Sequence, residues 1–188
     1  EITNRSVEIA IIDSMNNGKP FREAECDVSD AIQCFRYYAG LITKPSGTVY
    51  NVNKSFGEMH SYTVHEPIGV CAQITPWNYP FLMAAWKIAP AIAAGNSIVF
   101  KPSSNTPLST VRLFEIMDEM GLPDGTVNLV LGSGSIAGQE LAESDDVDMI
   151  SFTGSTEVGQ TIACAAIGNL KRVGLELGGK SPNIIFED

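Results

Sequence analysis

The sequence predicts an α/β fold: a doubly wound parallel sheet preceded by helices and a β arm. Three observations carry this. From Gly69 onward, short apolar runs alternate with helix-like runs, at intervals of roughly 25–30 residues, the size of a βαβ unit. The short runs are almost continuously apolar, as strands covered on both faces must be. Proline, glycine and asparagine also fall where the helices of such a repeat should start and stop.

The elements follow in order. Val7 to Met15 reads as the end of an amphipathic helix, stopped by Asn16-Asn17-Gly18-Lys19-Pro20. A second helix is expected from Ser29 to Leu41, with Ile32, Phe35, Arg36 and Ala39 at helical spacing, broken by Pro45-Ser46-Gly47. Thr48–Val52 and Ser61–Glu66 have strand-type content around a polar link and predict a hairpin or extended arm. The arm has little apolar surface of its own and is expected to lean on another domain or subunit.

The sheet strands are expected at Gly69–Ile74, Ser97–Lys101, Thr126–Leu131, Asp148–Phe152 and Arg172–Leu177, and the helices at Pro80–Ala94, Pro107–Met120, Ser135–Glu143 and Thr156–Ile167. Pro80 and Pro107 suit first-turn positions and Thr106 an N-cap. Gly95-Asn96 and Gly121 suit helix ends, and Pro123-Asp124-Gly125 a turn. The expected division is a helical segment at 1–47, the arm at 48–68, a nucleotide-binding domain at 69–178 and the start of a further domain at 179–188. The chain begins at Glu1 and stops just past a strand-like run, so both ends read as cut.

Composition narrows the function. The 188 residues are 44% hydrophobic, enough for an ordinary core, and the formal charge of −10 argues against nucleic acid or an anionic membrane as partner. The apolar stretch from Pro80 to Phe100 is interrupted by Lys87, Pro90 and Asn96, which makes it a poor membrane span. Cys26, Cys34, Cys71 and Cys164 form no metal spacing with His60 or His65, so no metal is expected. Their simplest account is a reduced, cytoplasmic compartment, with structural or incidental roles for all four.

In a doubly wound sheet, ligands sit beyond the carboxyl ends of the strands. There the sequence places Thr75-Pro76-Trp77-Asn78, Lys101-Pro102-Ser103-Ser104, Gly132-Ser133-Gly134, Thr153-Gly154-Ser155 and Glu176-Leu177-Gly178-Gly179-Lys180. These five loops of small and polar residues converge on one edge. The corner from Phe152 to Gly159 joins a strand to a helix, and the free N–H groups and dipole of a helix N-terminus attract phosphate. The same Gly-Ser corner also reads as a plain turn with Ser155 as N-cap.

Four of these segments carry a resemblance. Ile74-Thr75-Pro76-Trp77-Asn78, Lys101-Pro102-Ser103, Phe152-Thr153-Gly154-Ser155-Thr156 and Glu176-Leu177-Gly178-Gly179-Lys180-Ser181-Pro182 resemble the aldehyde dehydrogenase superfamily in order and spacing. The resemblance covers essentially the whole chain. It implies a Rossmann-like coenzyme domain and NAD(P)-dependent oxidation of an aldehyde to an acid through a cysteine thioester. It also implies a homo-oligomer, dimer or tetramer, in which residues 48–68 form the oligomerisation arm and 179–188 begin the catalytic domain.

The resemblance assigns roles residue by residue. Asn78 matches the side-chain donor to the oxyanion, a sound use of an amide N–H. Glu176 matches the general base that activates water, and a carboxylate at an apolar strand end suits that work. Lys101 matches the lysine on the adenosine ribose. Ser155 matches the pyrophosphate contact, with Trp77 beside the cofactor. Gly134 and Gly138 match glycines that hold a helix close to the adenosine site. Ile74, Thr75, Ser103, Ser104, Phe152, Thr153, Gly154, Val158, Leu177 and Gly178 complete the cofactor-binding set. Tyr79 and Trp86, seven apart and expected on nearly one helix face, match part of an aromatic box in betaine-aldehyde and amino-aldehyde dehydrogenases. Aromatic faces attract quaternary ammonium groups, although core or tunnel-wall packing explains the same spacing.

Two departures stand out. The family usually carries glutamate where this chain has Ser104. A carboxylate repels a 2′-phosphate and serine does not, so NADP is expected to be tolerated or preferred. The family's nucleophilic cysteine falls beyond Asp188, so these 188 residues alone are expected not to oxidise aldehydes. The alternative reading is a non-catalytic nucleotide-binding or assembly module of the same fold. An unrelated dinucleotide reductase is disfavoured, because no G-x-G-x-x-G follows the first strand of the sheet.

Overall fold

The computed structural model describes residues 1–187 apart from 45, 53, 54, 56 and 58. A 3-10 turn at Thr3–Arg5 leads into α1 (Ser6–Asn17), which ends where Gly18 takes a left-handed φ of 87° and its N–H bonds back to the Ser14 carbonyl. Helix α2 (Phe21–Leu41) starts eight residues earlier than its periodicity predicts. Its first turns carry Arg22, Glu23, Glu25 and Asp27, and this polar run hides the apolar stripe of Ala24, Val28 and Ala31. Pro45 of the expected break and the middle of the arm's link lie outside the described residues. The arm is a short antiparallel pair, β1 (Val49–Tyr50) with β2 (Ser61–Tyr62), as the sequence anticipates, though each strand is only two residues long.

The remaining elements alternate as predicted: β3 (Val70–Ile74), α3 (Pro80–Ala93), β4 (Ser97–Lys101), α4 (Leu108–Glu119), β5 (Val127–Leu129), α5 (Gln139–Glu143), β6 (Met149–Gly154), α6 (Thr156–Ala166) and β7 (Arg172–Leu177). The five strands form one parallel sheet in the order β5-β4-β3-β6-β7. The chain winds outward from β3 to β5, then returns to place β6 on the other side of β3. The switch point therefore lies between β3 and β6.

Boundaries differ in places with physical cause. Thr106 does not cap α4. Its hydroxyl donates to the Trp77 carbonyl at 3.3 Å, and Pro107 takes the cap position instead of the first turn. Pro80 does sit in the first turn of α3, and Gly95 and Gly121 do take positive φ at helix ends. Helix α5 is preceded by a π-turn at Gly134–Gly138, where a single α-helix is expected from Ser135. Strand β6 continues through Thr153 and Gly154, which pair with Glu176 and Leu177 of β7, so the corner turns at Ser155.

Alternation along the strands splits the core. Ala72, Ile74, Ile150 and Phe152 face α5 and α6, where Ala142 and Ile162 complete one cluster. Ile98 and Phe100 face a larger cluster built by α1–α4, with Ile9, Val28, Phe81, Ile88, Leu113 and Ile116 fully enclosed. Alanines at 84, 85 and 91 of α3 let α2 pack closely against it.

A β-carbon at Gly154 would collide with the ring of Phe152 in the same strand. Gly154→Ala is expected to cost about 1–3 kcal/mol through that overpacking. Urea unfolding of the variant and the parent protein measures it as a lower midpoint with unchanged slope.

Candidate active site

The parallel register aligns three strand ends. Ile74 pairs with Phe152, and Phe152 with Leu175, so the segments after β3 and β6 and the end of β7 emerge together. Between them and the outer face of α3 lies a cleft of about 1320 Å³. Trp77, Asn78, Thr153, Gly154, Ser155, Glu176, Leu177 and Gly178 all line it, and so does Trp86. The amide of Asn78, the carboxylate of Glu176 and the start of α6 thus share one cavity.

Ser155 sits at the N-cap of α6 with extended backbone, and its Oγ accepts from the Val158 N–H at 3.3 Å. The N-cap reading of that residue holds. The cap serves one N–H of the first turn and leaves the dipole end facing the cleft. Val158 is exposed beside it.

The other residues singled out from sequence lie outside the cleft lining. Ile74 and Phe152 are buried on the opposite face of the sheet with α6. Lys101 is buried, its Nζ donating to the Pro102 carbonyl at 3.1 Å, and burial pushes its pKa down. Its stem and Ile74 pack 3.8–3.9 Å from where a β-carbon of Gly138 would stand, which is ordinary contact. Nothing lies within 4 Å of the same point at Gly134, so that glycine does not act as a packing spacer. The Ser104 hydroxyl donates to the Gly132 carbonyl at 2.7 Å, tying the loop after β4 to the loop after β5. The Ser103 Oγ accepts from the Asn105 N–H in a local turn. The Thr75 hydroxyl is buried with no partner among the described residues.

Tyr79 and Trp86 part company. Trp86 is half exposed on the cleft, whereas the ring of Tyr79 packs against the α1–α4 cluster with Lys19 Nζ 4.5 Å from its centroid. Tyr79 is the N-cap of α3, with φ −133° and ψ 67°, so helical projection from residue 86 does not apply to it.

The sequence reading missed the cleft floor. Cys71 and Gln73 of β3, with Met149 and Ser151 of β6, line it on the face opposite Ile74 and Phe152. Lys87 of α3 reaches the floor, donating from Nζ to Ser151 Oγ at 2.8 Å, while Gln73 Nε2 donates to the Lys87 carbonyl at 2.8 Å. Burial pulls the Lys87 pKa from 10.5 to about 8, with the Glu176 charge opposing. A signal was present: Lys87, Pro90 and Asn96, the three residues that interrupt the apolar run, all line the cleft.

The two less exposed cysteines, Cys34 and Cys71, are not activated nucleophiles. Burial, reinforced by Asp148, pushes the Cys71 thiol up, and burial does the same at Cys34. A raised thiol stays protonated and inert. Cys26 and Cys164 are exposed, and neither lines the cleft.

Fold and cleft together define the class: a doubly wound α/β domain with its cavity at the switch point of the sheet. Within that class the assignment is specific. The chain belongs to the aldehyde dehydrogenase family, whose model matches residues 1–188. It is 51% identical over 189 residues to betaine aldehyde dehydrogenase of Bacillus subtilis, a match covering 100% of this chain and 38% of the relative. It is also 51% identical over 182 residues to human retinal dehydrogenase 2, covering 96% of this chain and 35% of that protein. The fold matches betaine aldehyde dehydrogenase of Staphylococcus aureus, solved in complex with NAD+, with a TM-score of 0.95 and 46% identity, over 100% of this chain and 37% of that one. The chain therefore spans little more than a third of the length of these relatives. Among the described residues, no helix is long and apolar enough to cross a membrane.

The depressed pKa of Lys87 predicts a pH dependence. Its folded pKa lies below the unfolded value, so the unfolded chain binds more protons between pH 8 and 10.5, and stability rises with pH across that window. Lys87→Met is expected to be more stable than the parent at pH 7. The difference should shrink as pH climbs through about 8 toward 10.5. Denaturant unfolding at a series of pH values checks both parts.

Proposed function

We propose that this chain is the coenzyme-binding part of an enzyme that oxidises an aldehyde to a carboxylic acid with NAD or NADP. The single observation that carries the reading is the convergence of Asn78, Ser155 and Glu176 on one cleft. The comparisons support it, since the named relatives are aldehyde dehydrogenases and one of them is solved with NAD+.

Thr153, Gly154, Leu177 and Gly178, with Trp77, line the cleft and would hold the dinucleotide there. Ser155 and Val158 at the start of α6 would hold its diphosphate. Lys101, Ser103, Ser104, Gly134 and Gly138 would hold its adenosine end, with Ile74, Thr75 and Phe152 completing the set. The cofactor supplies a hydride acceptor when bound.

The remaining work falls to the chain's own residues. The Asn78 amide donates to the carbonyl oxygen as it gains charge during nucleophilic attack, and the carboxylate of Glu176 takes a proton from water for hydrolysis of the acyl intermediate. The nucleophile is supplied from outside this stretch, because all four cysteines here are raised by burial or lie away from the cleft. Residues 48–68 are proposed as a contact with a second copy, because Val49, Tyr50 and Tyr62 leave apolar surface exposed.

The aldehyde class is not specified by overall likeness, since a betaine aldehyde dehydrogenase and a retinal dehydrogenase match at the same identity. The aromatic pair is reduced to Trp86 as a cleft-facing ring, because Tyr79 already carries Lys19 on one face.

Two experiments test the proposal on the protein at its full encoded length. Glu176→Gln should lower steady-state turnover on the order of a hundredfold and leave the first, stoichiometric burst of reduced cofactor intact. Loss of the burst as well would reject Glu176 as the hydrolytic base. For the cofactor, Ser104 holds no carboxylate toward the ribose, and its hydroxyl is bonded to Gly132. Titration should therefore find NADP binding within a hundredfold of NAD, and Ser104→Glu should shift the ratio toward NAD by tenfold or more, about 1.4 kcal/mol. NAD binding at least a hundredfold tighter in the parent would contradict this.

A further inference from the structure

We infer that Asn17, at the end of α1, is a positioning residue for Asn78. The inference rests on the reading of Asn78 as the oxyanion donor. It concerns a part of the chain, the α1–α2 corner, that lies outside the nucleotide-binding repeat and has no role in the function proposed above.

The starting observation is that Asn78 is exposed on the cleft and its side-chain amide has no hydrogen-bond partner among the described residues. A donor that catalyses must already point at the place where charge will develop. With no partner for its side chain, what the surrounding chain fixes at Asn78 is the backbone, and so the position and direction of the Cα–Cβ bond from which the amide starts. That backbone is tied to the corner through the Trp77 carbonyl, and the side chain of the next residue, Tyr79, touches the same corner. Asn17 Nδ2 donates to the Trp77 carbonyl at 2.6 Å. The Thr106 hydroxyl donates to the same oxygen at 3.3 Å. The Trp77 carbonyl and the Asn78 N–H belong to one planar peptide unit, so fixing the oxygen fixes the plane from which the Asn78 Cα departs. The Tyr79 ring lies against Lys19.

The corner is itself held by several bonds. Gly18 in the left-handed region closes α1 directly after Asn17, and Ser14 Oγ donates to the Lys19 carbonyl at 2.7 Å. The Lys19 ammonium pairs with Asp27 at 2.5 Å and Asp13 at 3.5 Å, all three side chains nearly enclosed, and Asp13 accepts from the Ser109 hydroxyl of α4. Asn16 adds a second tie: its Oδ1 accepts from the Leu108 N–H at 2.9 Å, filling the place that Pro107 leaves without a side-chain cap. One helix end thus anchors both the loop that carries Asn78 and the loop that carries Thr106.

The test is a double-mutant cycle in the protein at its full encoded length, with a simple aliphatic aldehyde as substrate and the dissociation constant of the cofactor measured alongside. Asn78→Ala should lower kcat on the order of a hundredfold or more. Asn17→Ala should lower kcat about tenfold or more while the cofactor constant stays within twofold. The double variant should lose no more than Asn78→Ala alone, because a positioning residue has nothing left to position. Should Asn17→Ala not accumulate as folded protein, Thr106→Val removes the other donor to the Trp77 carbonyl and is read by the same criteria. Losses that multiply, or an Asn17→Ala kcat within twofold of the parent, would overturn the inference while leaving the function intact. An Asn78→Ala variant with unchanged kcat would remove the reading beneath it and overturn both.

Discussion

The registration of β3 against β6, and of β6 against β7, is the constraint on which the site depends. β3 and β6 are far apart in sequence, yet Ile74 lies level with Phe152, and Phe152 with Leu175 of the next strand. Strand side chains alternate faces, so a one-residue slip of β6 against β3 would turn Met149 and Ser151 from the cleft floor toward the α6-facing core and Phe152 toward the cleft. The apolar cluster of Ala72, Ile74, Ile150, Phe152 and Ile162 forbids that slip. Burial on one face of the sheet thereby fixes which polar groups meet on the other.

Helix α3 serves both sides of this arrangement. Its Phe81, Ala84, Ala85 and Ile88 pack on the α1–α4 cluster, while Met83, Trp86, Lys87 and Pro90 form the wall of the cleft. Pro90 has no N–H to offer the carbonyl of Trp86, and the next carbonyl, that of Lys87, receives Gln73 from the sheet. One helix carbonyl drawn to Gln73, and a lysine whose pKa is lowered by burial and whose Nζ reaches Ser151, put polar groups on the floor of a cleft with apolar sides.

Much of this was legible in the sequence. The buried strands announce themselves as short apolar runs, and the loops that follow them are small and polar because they turn at an exposed sheet edge. The convergence of Asn78, Ser155 and Glu176 follows from topology once the strands are placed. What the sequence concealed has physical reasons. The first turns of α2 are masked by charged residues, one of which, Asp27, is buried against Lys19, and burial pushes its pKa up against that lysine's pull. The Tyr79–Trp86 spacing is right for a helix, but Tyr79 stands before the helix begins. Lys87 reads as a blemish in an apolar run until the sheet supplies Ser151 to receive it. The ties from Asn16 and Asn17 span ninety-two and sixty residues along the chain, and no local pattern encodes such pairs.

Hydrogen–deuterium exchange with and without NADP, followed segment by segment in the protein at its full encoded length, tests the central claim most directly. The account predicts that cofactor slows exchange together at Trp77–Asn78, across the start of α6 from Ser155 to Val158, and at Leu177–Gly178. The peptides of α1, outside the cleft, should stay unchanged. Protection confined to another face of the sheet, or reaching only one of the three segments, would contradict it.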